Sequence, residues 1–256
     1  MTENPISTDR MRAILVLVAT IGVIAFNFLA AAGRINNVSP AQVSDKYPTL
    51  VTPADYAFSI WSLIYAGLIA FSIYQLLPSN LVKFRGLRTF YILSCALNCG
   101  WIYFWLNDQI AVCFVLIFLL AASLFMINLY LRTTETPSEY WLAKAPFGIY
   151  FGWVTAATLV NFAILLVYWN VRLSPSAWNA LAVGLILLAA VLGVLIRICL
   201  RNYLYPLAIA WALTAIAVKQ SGQTPIVVAA AVGVIACLIA TLSFVLTLPS
   251  SADRRT

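Results

Sequence analysis

The chain has no histidine and few charged residues of either sign. Only 9% of its 256 residues are Asp, Glu, Lys or Arg, whereas soluble domains carry about 25%. A charge content this low over a whole chain excludes a water-soluble surface. The chain also lacks a Walker or dinucleotide-binding motif and has few acids, so it lacks the usual groups of acid–base and metal catalysis. We therefore predict no catalytic residues and no enzymatic activity.

Cysteines are also few, and their pattern excludes a disulfide framework. The five cysteines are odd in number, lie in apolar runs and show no framework spacing. Cys95 and Cys99 lie four residues apart on a predicted helix, but no histidine exists to complete a usual zinc site. We expect buried, reduced thiols and no metal site.

Long apolar runs make up most of the sequence. Hydrophobic residues account for 63% of the chain, and the mean hydropathy is +0.96. Because a transmembrane helix needs about 20 mainly apolar residues, these runs predict an all-α fold, a polytopic membrane helix bundle with about eight transmembrane helices. The predicted helices cover residues 12–33, 54–77, 88–106, 109–131, 146–169, 177–197, 202–218 and 224–248, of which the seventh is the shortest.

Basic residues are distributed unevenly between the two sides that eight helices define. The side with both termini carries 11 of the 15 lysines and arginines. This asymmetry follows the positive-inside rule, so we predict a multi-pass protein of the inner or plasma membrane with both termini cytoplasmic. It also accounts for the net charge of +7, and nucleic acid is not an expected partner. The 11 residues are Arg10, Arg12, Lys83, Arg85, Arg88, Arg132, Lys144, Arg197, Arg201, Arg254 and Arg255.

The second predicted helix has a marked start signal. Thr52 is a typical N-cap residue, Pro53 suits the first helical position, and Asp55 follows the cap by three residues. An acid in the first turn is favoured by the helix dipole. The sequence therefore predicts that the second helix begins directly after Thr52.

The loop at residues 34–52 is the longest on the outer side, and its sequence indicates an ordered segment. Ser39 followed by Pro40 repeats the capping pattern, which predicts a short helix at about 40–46 that ends before Pro48. A structured loop over a helix bundle is often a lid. A simple connector is the equally weighted alternative.

Three asparagines lie within apolar helices: Asn27, Asn98 and Asn161. An amide in hydrocarbon is costly unless it is hydrogen-bonded, so such residues usually face other helices. Hydrogen bonding between helices is the favoured interpretation, and lining a polar spot in a ligand cavity is the alternative.

Aromatic residues recur on one face of several predicted helices. Spacing places Phe58, Trp61 and Tyr65 on one face, Asn98, Trp101 and Trp105 on another, and Trp153, Ala157 and Asn161 on a third. Trp61 and Trp153 lie deeper in their helices than a typical interfacial belt. They therefore serve either as core packing or as a flat aromatic wall for a planar apolar ligand.

These faces occur in three stretches that resemble a known family. The stretches are YPTLVTPADYAFSIWSLIY (47–65), ALNCGWIYFW (96–105) and GWVTAATLVN (152–161). In order and spacing they resemble the tryptophan-rich sensory protein family, also called TspO/MBR or translocator protein. The matching positions are Pro48, Pro53, Trp61, Ser62, Tyr65, Leu97, Asn98, Trp101, Phe104, Trp153, Ala157, Thr158 and Asn161.

The resemblance implies a five-helix core over residues 1–170 with an ordered loop at 34–52. The additional three-helix membrane segment at 171–256 lies beyond the family fold and is a departure from it. The resemblance also implies a cavity that opens toward this loop and binds porphyrin, haem or another planar hydrophobic molecule, with no obligatory cofactor. Without histidine the chain cannot supply the commonest axial ligand of haem, so metal-free porphyrin or weakly ligated haem is expected. The predicted ligand-binding residues are Pro53, Phe58, Trp61, Tyr65, Asn98, Trp101, Trp153, Ala157 and Asn161.

Four functions are compatible with these patterns. We predict a membrane receptor or sensor, whose partners are the lipid bilayer and a hydrophobic small molecule. A transporter of small hydrophobic or tetrapyrrole molecules is the alternative, although the paired repeats and intramembrane charges typical of transporters are not evident. Light-dependent porphyrin oxidation is a third function, which the resemblance implies for some members. The fourth is a scaffold whose last three helices mediate assembly, for example into a homo-oligomer.

Overall fold

The computed structural model describes residues 5–134 and 136–243, and these form helices joined by short loops. The helices are α1 (Pro5–Ala31), α2 (Pro40–Lys46), α3 (Ile60–Tyr74), α4 (Arg85–Leu106), α5 (Ile110–Tyr130), α6 (Pro137–Glu139), α7 (Ala145–Tyr168), α8 (Pro175–Leu200), α9 (Tyr205–Lys219) and α10 (Thr224–Leu242). A π-helical turn at Tyr140–Lys144 joins α6 to α7 without a break. Residues 244–248 of the last predicted helix, and Arg254 and Arg255, lie outside the described residues.

The loops that connect successive long helices lie alternately at the two ends of the bundle. At one end, Arg85 at the start of α4 donates to the carboxylate of Asp9 in α1 (2.8 Å). At the opposite end, Asn36 after α1 donates to the carbonyl of Leu106 at the end of α4 (2.8 Å). We call the first the basic end, and the second, which holds the loop at 32–54, the loop end. This alternation matches the two sides that the charge pattern predicts.

Seven helical segments within the described residues are long and apolar enough to cross a membrane, which confirms the predicted polytopic bundle. The remaining predicted helix, α9, has 15 residues, or about 22 Å of helix, against a hydrocarbon core of about 30 Å. It still connects the two ends. Asn202 before it donates to the carbonyl of Lys144 at the basic end (2.8 Å), and Gln220 after it donates to the carbonyl of Thr49 at the loop end (3.1 Å).

Five helices form a closed ring, in which α1 packs on α3 and α4, α4 on α5, α5 on α7, and α7 on α3. The last three helices form a second group that contacts the ring chiefly through α9 on α7. Gly152 permits this contact, because a Cβ atom there would overlap the carbonyl oxygen of Tyr205. The described chain thus packs as a five-helix ring with three further helices against it.

Aromatic and hydroxyl side chains fill the basic half of the ring. Phe71 of α3 packs edge-on against Phe147 of α7, with ring centroids 4.9 Å apart. The hydroxyl of Thr20 in α1 lies 2.5 Å from that of Ser72 in α3 and 2.5 Å from that of Tyr91 in α4. All five side chains are fully buried. The basic half of the ring is therefore closely packed around these five side chains.

The start of the second long helix differs from the prediction. Thr52 is not its N-cap, because its hydroxyl oxygen instead accepts a hydrogen bond from the backbone three residues earlier (3.1 Å). The chain forms a 3-10 turn at Asp55–Ser59, and α3 begins at Ile60. The physical reason is a long-range bond, since the backbone N–H of Ala54 donates to the carbonyl of Ala215 in α9 (3.0 Å).

The short helix predicted in the loop is confirmed as α2. The backbone N–H of Ser39 donates to the side chain of Gln42 (2.7 Å), and the backbone N–H of Gln42 donates to the hydroxyl of Ser39 (3.3 Å). This reciprocal capping box fixes the start of the helix. The helix ends at Lys46, before Pro48.

The predicted burial of the cysteines is confirmed for three of them and wrong for one. Cys95, Cys113 and Cys237 are buried, Cys99 is half-buried, and Cys199 is exposed; none is in a disulfide. Cys199 lies on the outer surface of α8, where an apolar side chain is compatible with lipid, so the apolar run did not reveal which way it points.

We expect Thr20→Val to destabilise the protein by about 0.6–2 kcal/mol, because it removes a hydroxyl that joins three helices. The measurement is thermal unfolding in detergent. Thr214→Val is the matched control, since the Thr214 hydroxyl donates within its own helix, to the carbonyl of Ala210 (2.8 Å). Equal unfolding temperatures for the two variants would contradict a role of the Thr20 cluster in joining the helices.

Candidate ligand-binding site

A cavity of about 50 Å³ lies in the loop half of the ring. It is bounded by α3, α4, α5, α7 and α9 and closed by the loop at 32–54. Its lining is almost entirely apolar, and its polar side chains are two amides and one serine. The lining residues are Ser44, Pro53, Phe58, Trp61, Asn98, Trp101, Trp105, Ile117, Leu120, Trp153, Val154, Ala156, Ala157, Val160, Asn161, Ile164, Ala212 and Ile216.

Aromatic rings from α3, from the 3-10 turn before it and from α7 meet at this cavity. Trp153 receives the edge-on contact of both Trp61 (centroids 6.4 Å apart, 84° between planes) and Phe58 (6.1 Å, 79°). Trp61 also stacks nearly parallel on Tyr65 (5.5 Å, 21°). Both geometries are favourable for aromatic pairs. The predicted aromatic face of α3 and the predicted face of α7 therefore lie against each other.

A larger groove adjoins the cavity between α1, α2, α3 and α4. It has a volume of about 480 Å³ and shares Phe58, Trp61 and Trp101 with the cavity. These three side chains form a partition between the two spaces. The other lining residues of the groove are Ile24, Asn27, Phe28, Ala31, Ser39, Pro40, Ala41, Asp55, Ser62, Tyr65 and Ile102.

The intramembrane amides bond to other helices and also line these spaces. Asn27 of α1 donates to Asn98 of α4 (2.7 Å), which in turn donates to the hydroxyl of Tyr150 in α7 (3.1 Å). Trp101 of α4 donates to Asn161 of α7 (3.2 Å). The favoured interpretation, bonding between helices, is therefore confirmed, and the positions of Asn98 and Asn161 in the lining agree with the alternative as well.

The tryptophans at the site differ in their hydrogen bonding. Trp101 donates to Asn161, and Trp105 donates to the carbonyl of Pro40 (3.0 Å). For the indole N–H groups of Trp61 and Trp153, the described residues supply no hydrogen-bond acceptor. Two indole donors at the site are therefore left for other partners.

The structure brings eight of the nine predicted site residues around the cavity and places the ninth, Tyr65, in the adjoining groove. The prediction did not include the other ten lining residues, among them Ser44, Trp105, Ala212 and Ile216. The spacing of Trp105 from Asn98 and Trp101 was a sufficient signal for its position. Ala212 and Ile216 gave no such signal, because small and aliphatic residues are common throughout apolar helices.

Electrostatic contacts at the loop end fasten the loop over the cavity. Lys46 and Tyr47 both donate to the carboxylate of Asp108, the tyrosine at 2.6 Å. Partial burial raises the pKa of Asp108, but the hydrogen bonds from Lys46 and Tyr47 outweigh it and lower this pKa below its ordinary value. The bond to Asp108 raises the pKa of Lys46. A second ion pair joins Lys219 to Asp45 in α2 (3.2 Å).

The lining of the cavity and the groove offers few ligands for haem iron. Histidine, cysteine, methionine and tyrosine are the usual protein ligands of haem iron. Among the described residues that line the cavity and the groove, only Tyr65 is of such a type. A porphyrin held here would depend on packing and on hydrogen bonds rather than on a bond to iron.

Comparison with known proteins identifies the family of the chain. The sequence profile described as TSPO-like protein matches residues 13–244. The chain belongs to the TSPO-like protein family. The match covers the last three helices as well as the five-helix ring, and with the seven apolar spans it identifies an integral, multi-pass membrane protein. No curated protein and no solved structure matches this TSPO-like chain.

We expect Asp108→Asn to lower the free energy of unfolding of the TSPO-like chain at neutral pH but not in acid. Because the folded pKa of Asp108 is lowered, its stabilising contribution is present above about pH 4 and is lost as the pH falls through the folded value. Because the pKa of Lys46 is raised, its ammonium group stays charged and the ion pair with Asp108 persists up to about pH 10 or above. The effect is small, since Lys46 is exposed and Asp108 is only partly buried.

The measurement is the difference in unfolding temperature between wild type and Asp108→Asn from pH 3 to pH 8. We expect a difference above pH 5 that shrinks toward zero below pH 4. Asp55→Asn is the control. Its carboxylate is exposed and lies 3.7 Å from the nearest lysine, Lys219, which is a weaker contact than the bonds that Asp108 accepts. A difference that stays constant over the whole range would refute the assigned role of the Asp108 carboxylate.

Proposed function

We propose that this TSPO-like protein is a membrane receptor for a planar hydrophobic ligand of the porphyrin class. The observation that carries the proposal is the position of the groove and the cavity on either side of Phe58, Trp61 and Trp101. The ligand lies in the groove against Trp61, and one edge reaches past the partition into the cavity.

The volumes of the groove and the cavity support this placement of the ligand. Sites for small molecules and cofactors usually have volumes of about 300–1,000 Å³. The groove, at about 480 Å³, is within that range, whereas the cavity, at about 50 Å³, is far below it. The groove therefore takes the body of the ligand, and the cavity takes only an edge or a substituent.

The chemistry of the lining also supports a flat apolar ligand. The nearly parallel pair of Trp61 and Tyr65 offers an extended aromatic surface, on which a planar ring system packs in the offset geometry that aromatic groups prefer. A small number of polar groups, among them Asn98 and the free indole N–H groups of Trp61 and Trp153, are available to orient the ligand. Apolar walls with few polar groups are typical of such sites.

We expect Trp61→Phe to weaken binding of protoporphyrin IX by up to about 13-fold, because the smaller ring keeps only part of an aromatic contact worth about 0.5–1.5 kcal/mol beyond its buried area. The measurement is a titration of the purified protein in lipid nanodiscs, followed by the shift of the porphyrin absorption band. Empty nanodiscs are the blank, since porphyrins partition into lipid. Trp153→Phe is expected to have a similar effect from the opposite side of the partition.

Trp169→Phe is the matched control for this titration. Trp169 follows α7 at the loop end and is 58% exposed, so its substitution removes the same indole without touching the site. The proposal fails if wild type shows no saturable binding above empty nanodiscs. It also fails if Trp61→Phe, Trp153→Phe and Trp169→Phe all bind as wild type does.

We further infer that the basic end faces the cytoplasm, in accordance with the charge asymmetry. A fluorescent protein fused after Thr256 should therefore fluoresce in a bacterial host, and alkaline phosphatase at the same point should be inactive. The same two reporters inserted after Arg172, in the loop between α7 and α8, should give the opposite pair of results. Reporter activities with the two positions exchanged would reverse the assigned orientation.

A further inference from the structure

Small residues bring α9 unusually close to α7. Gly152 and Ala156 lie one turn apart on α7, and small residues at this spacing let two membrane helices approach closely. A Cβ atom on Gly152 would overlap the carbonyl oxygen of Tyr205 and would lie 3.0 Å from the Cβ atom of Ala208. The backbone of α9 is therefore held against α7 directly beside the site.

The α9 face that continues from this contact is part of the cavity wall. Ala212 lies one turn after Ala208, and Ile216 lies one turn further. Both side chains are only 3% exposed, and both line the cavity together with Ala156 of α7. The face that packs against α7 at Gly152 thus becomes the face that bounds the cavity.

The opposite flank of α9 is fixed to the segment that carries Phe58. Trp211 donates its indole N–H to the carbonyl of Ala57 (3.0 Å), and the carbonyl of Ala215 accepts the backbone N–H of Ala54 (3.0 Å). With α7 on one flank and this segment on the other, α9 has little freedom to retreat from the cavity.

We propose that α9 forms the end wall of the ligand site and that Ala212 and Ile216 determine how large a ligand the site accepts. The proposal deepens the proposed function and rests on it for the class of ligand. Because the cavity encloses only about 50 Å³, the size of these two side chains decides how far a ligand edge can pass the partition. A larger residue at 212 closes the cavity, and a smaller residue at 216 enlarges it.

The test compares two substitutions that change the wall in opposite directions. Ala212→Leu adds three carbon atoms to the wall, and we expect it to raise the Kd for protoporphyrin IX in nanodiscs at least tenfold, since single methylenes in apolar pockets already change binding about 10–200-fold. Ile216→Ala removes three carbon atoms and is expected to lower that Kd several-fold. Ala217→Leu is the matched control, because Ala217 is on α9 but outside the cavity lining.

A purely structural role for these residues predicts a different result. Both substitutions disturb packing, so a structural role weakens binding in both variants, and thermal unfolding of each variant shows how much fold stability is lost. A Kd for Ile216→Ala that equals or exceeds the wild-type value overturns the proposal. A Kd for Ala212→Leu equal to that of Ala217→Leu overturns it as well.

A second probe separates this proposal from the proposed function. The probe is 1-aminoanthracene, a flat apolar molecule smaller than a porphyrin, whose fluorescence rises on binding. If wild type binds this probe but not protoporphyrin IX, the receptor proposal fails, and loss of the probe in Ala212→Leu still supports the wall. Wild type could instead bind neither molecule. In that case, binding of the probe by Ile216→Ala supports the proposal that α9 forms the end wall, and no binding of the probe by Ile216→Ala overturns that proposal.

Discussion

The structure depends on the buried polar face of α4. In a bilayer, the hydrophobic effect does not drive helices together, because lipid tails are as apolar as the helix surfaces. Close packing and hydrogen bonds between helices therefore determine how the helices associate. Successive side chains on this face bond to α1, to α2, to α7 and to the residue that follows α3. These bonds are Arg88 to Gln75 directly after α3, Tyr91 to Thr20 of α1, Asn98 to Asn27 of α1 and Tyr150 of α7, Trp101 to Asn161 of α7, and Trp105 to Pro40 of α2. A shift of α4 by one turn would leave several polar groups unpaired in hydrocarbon, which is costly.

The same bonds place the candidate site. Asn98 and Trp101 belong both to the polar face of α4 and to the lining of the cavity. The loop at 32–54 is fastened to α4 through the indole of Trp105 and to α9 through Ala54. The cavity thus lies where the ring, the loop and the second helix group meet, and each contributes wall residues. A site built in this way keeps its shape only if all three remain packed.

The sequence was sufficient to predict the helices and eight of the residues that line the cavity, because both leave local patterns. Apolar runs predicted the spans, and the spacing of Phe58, Trp61 and Tyr65 predicted an aromatic face that the structure shows. The cap at Thr52 was wrong because a bond from Ala54 to α9, distant in sequence, overrides the local signal. Ala212 was missed for a related reason, since an alanine acquires its role only from the helix that packs against it. The cavity volume is likewise a property of packing that spacing does not contain.

The short length of α9 has a consequence for the surrounding lipid. Leu207, Trp211 and Val218 are exposed on the outer surface of the bundle, so the bilayer contacts this helix directly. An apolar segment of about 22 Å in hydrocarbon of about 30 Å creates a hydrophobic mismatch, which the bilayer relieves by thinning or the helix relieves by moving, at a cost of fractions of a kcal/mol per Å. Because α9 also bounds the cavity and holds the loop, membrane thickness acts on the same helix that shapes the site.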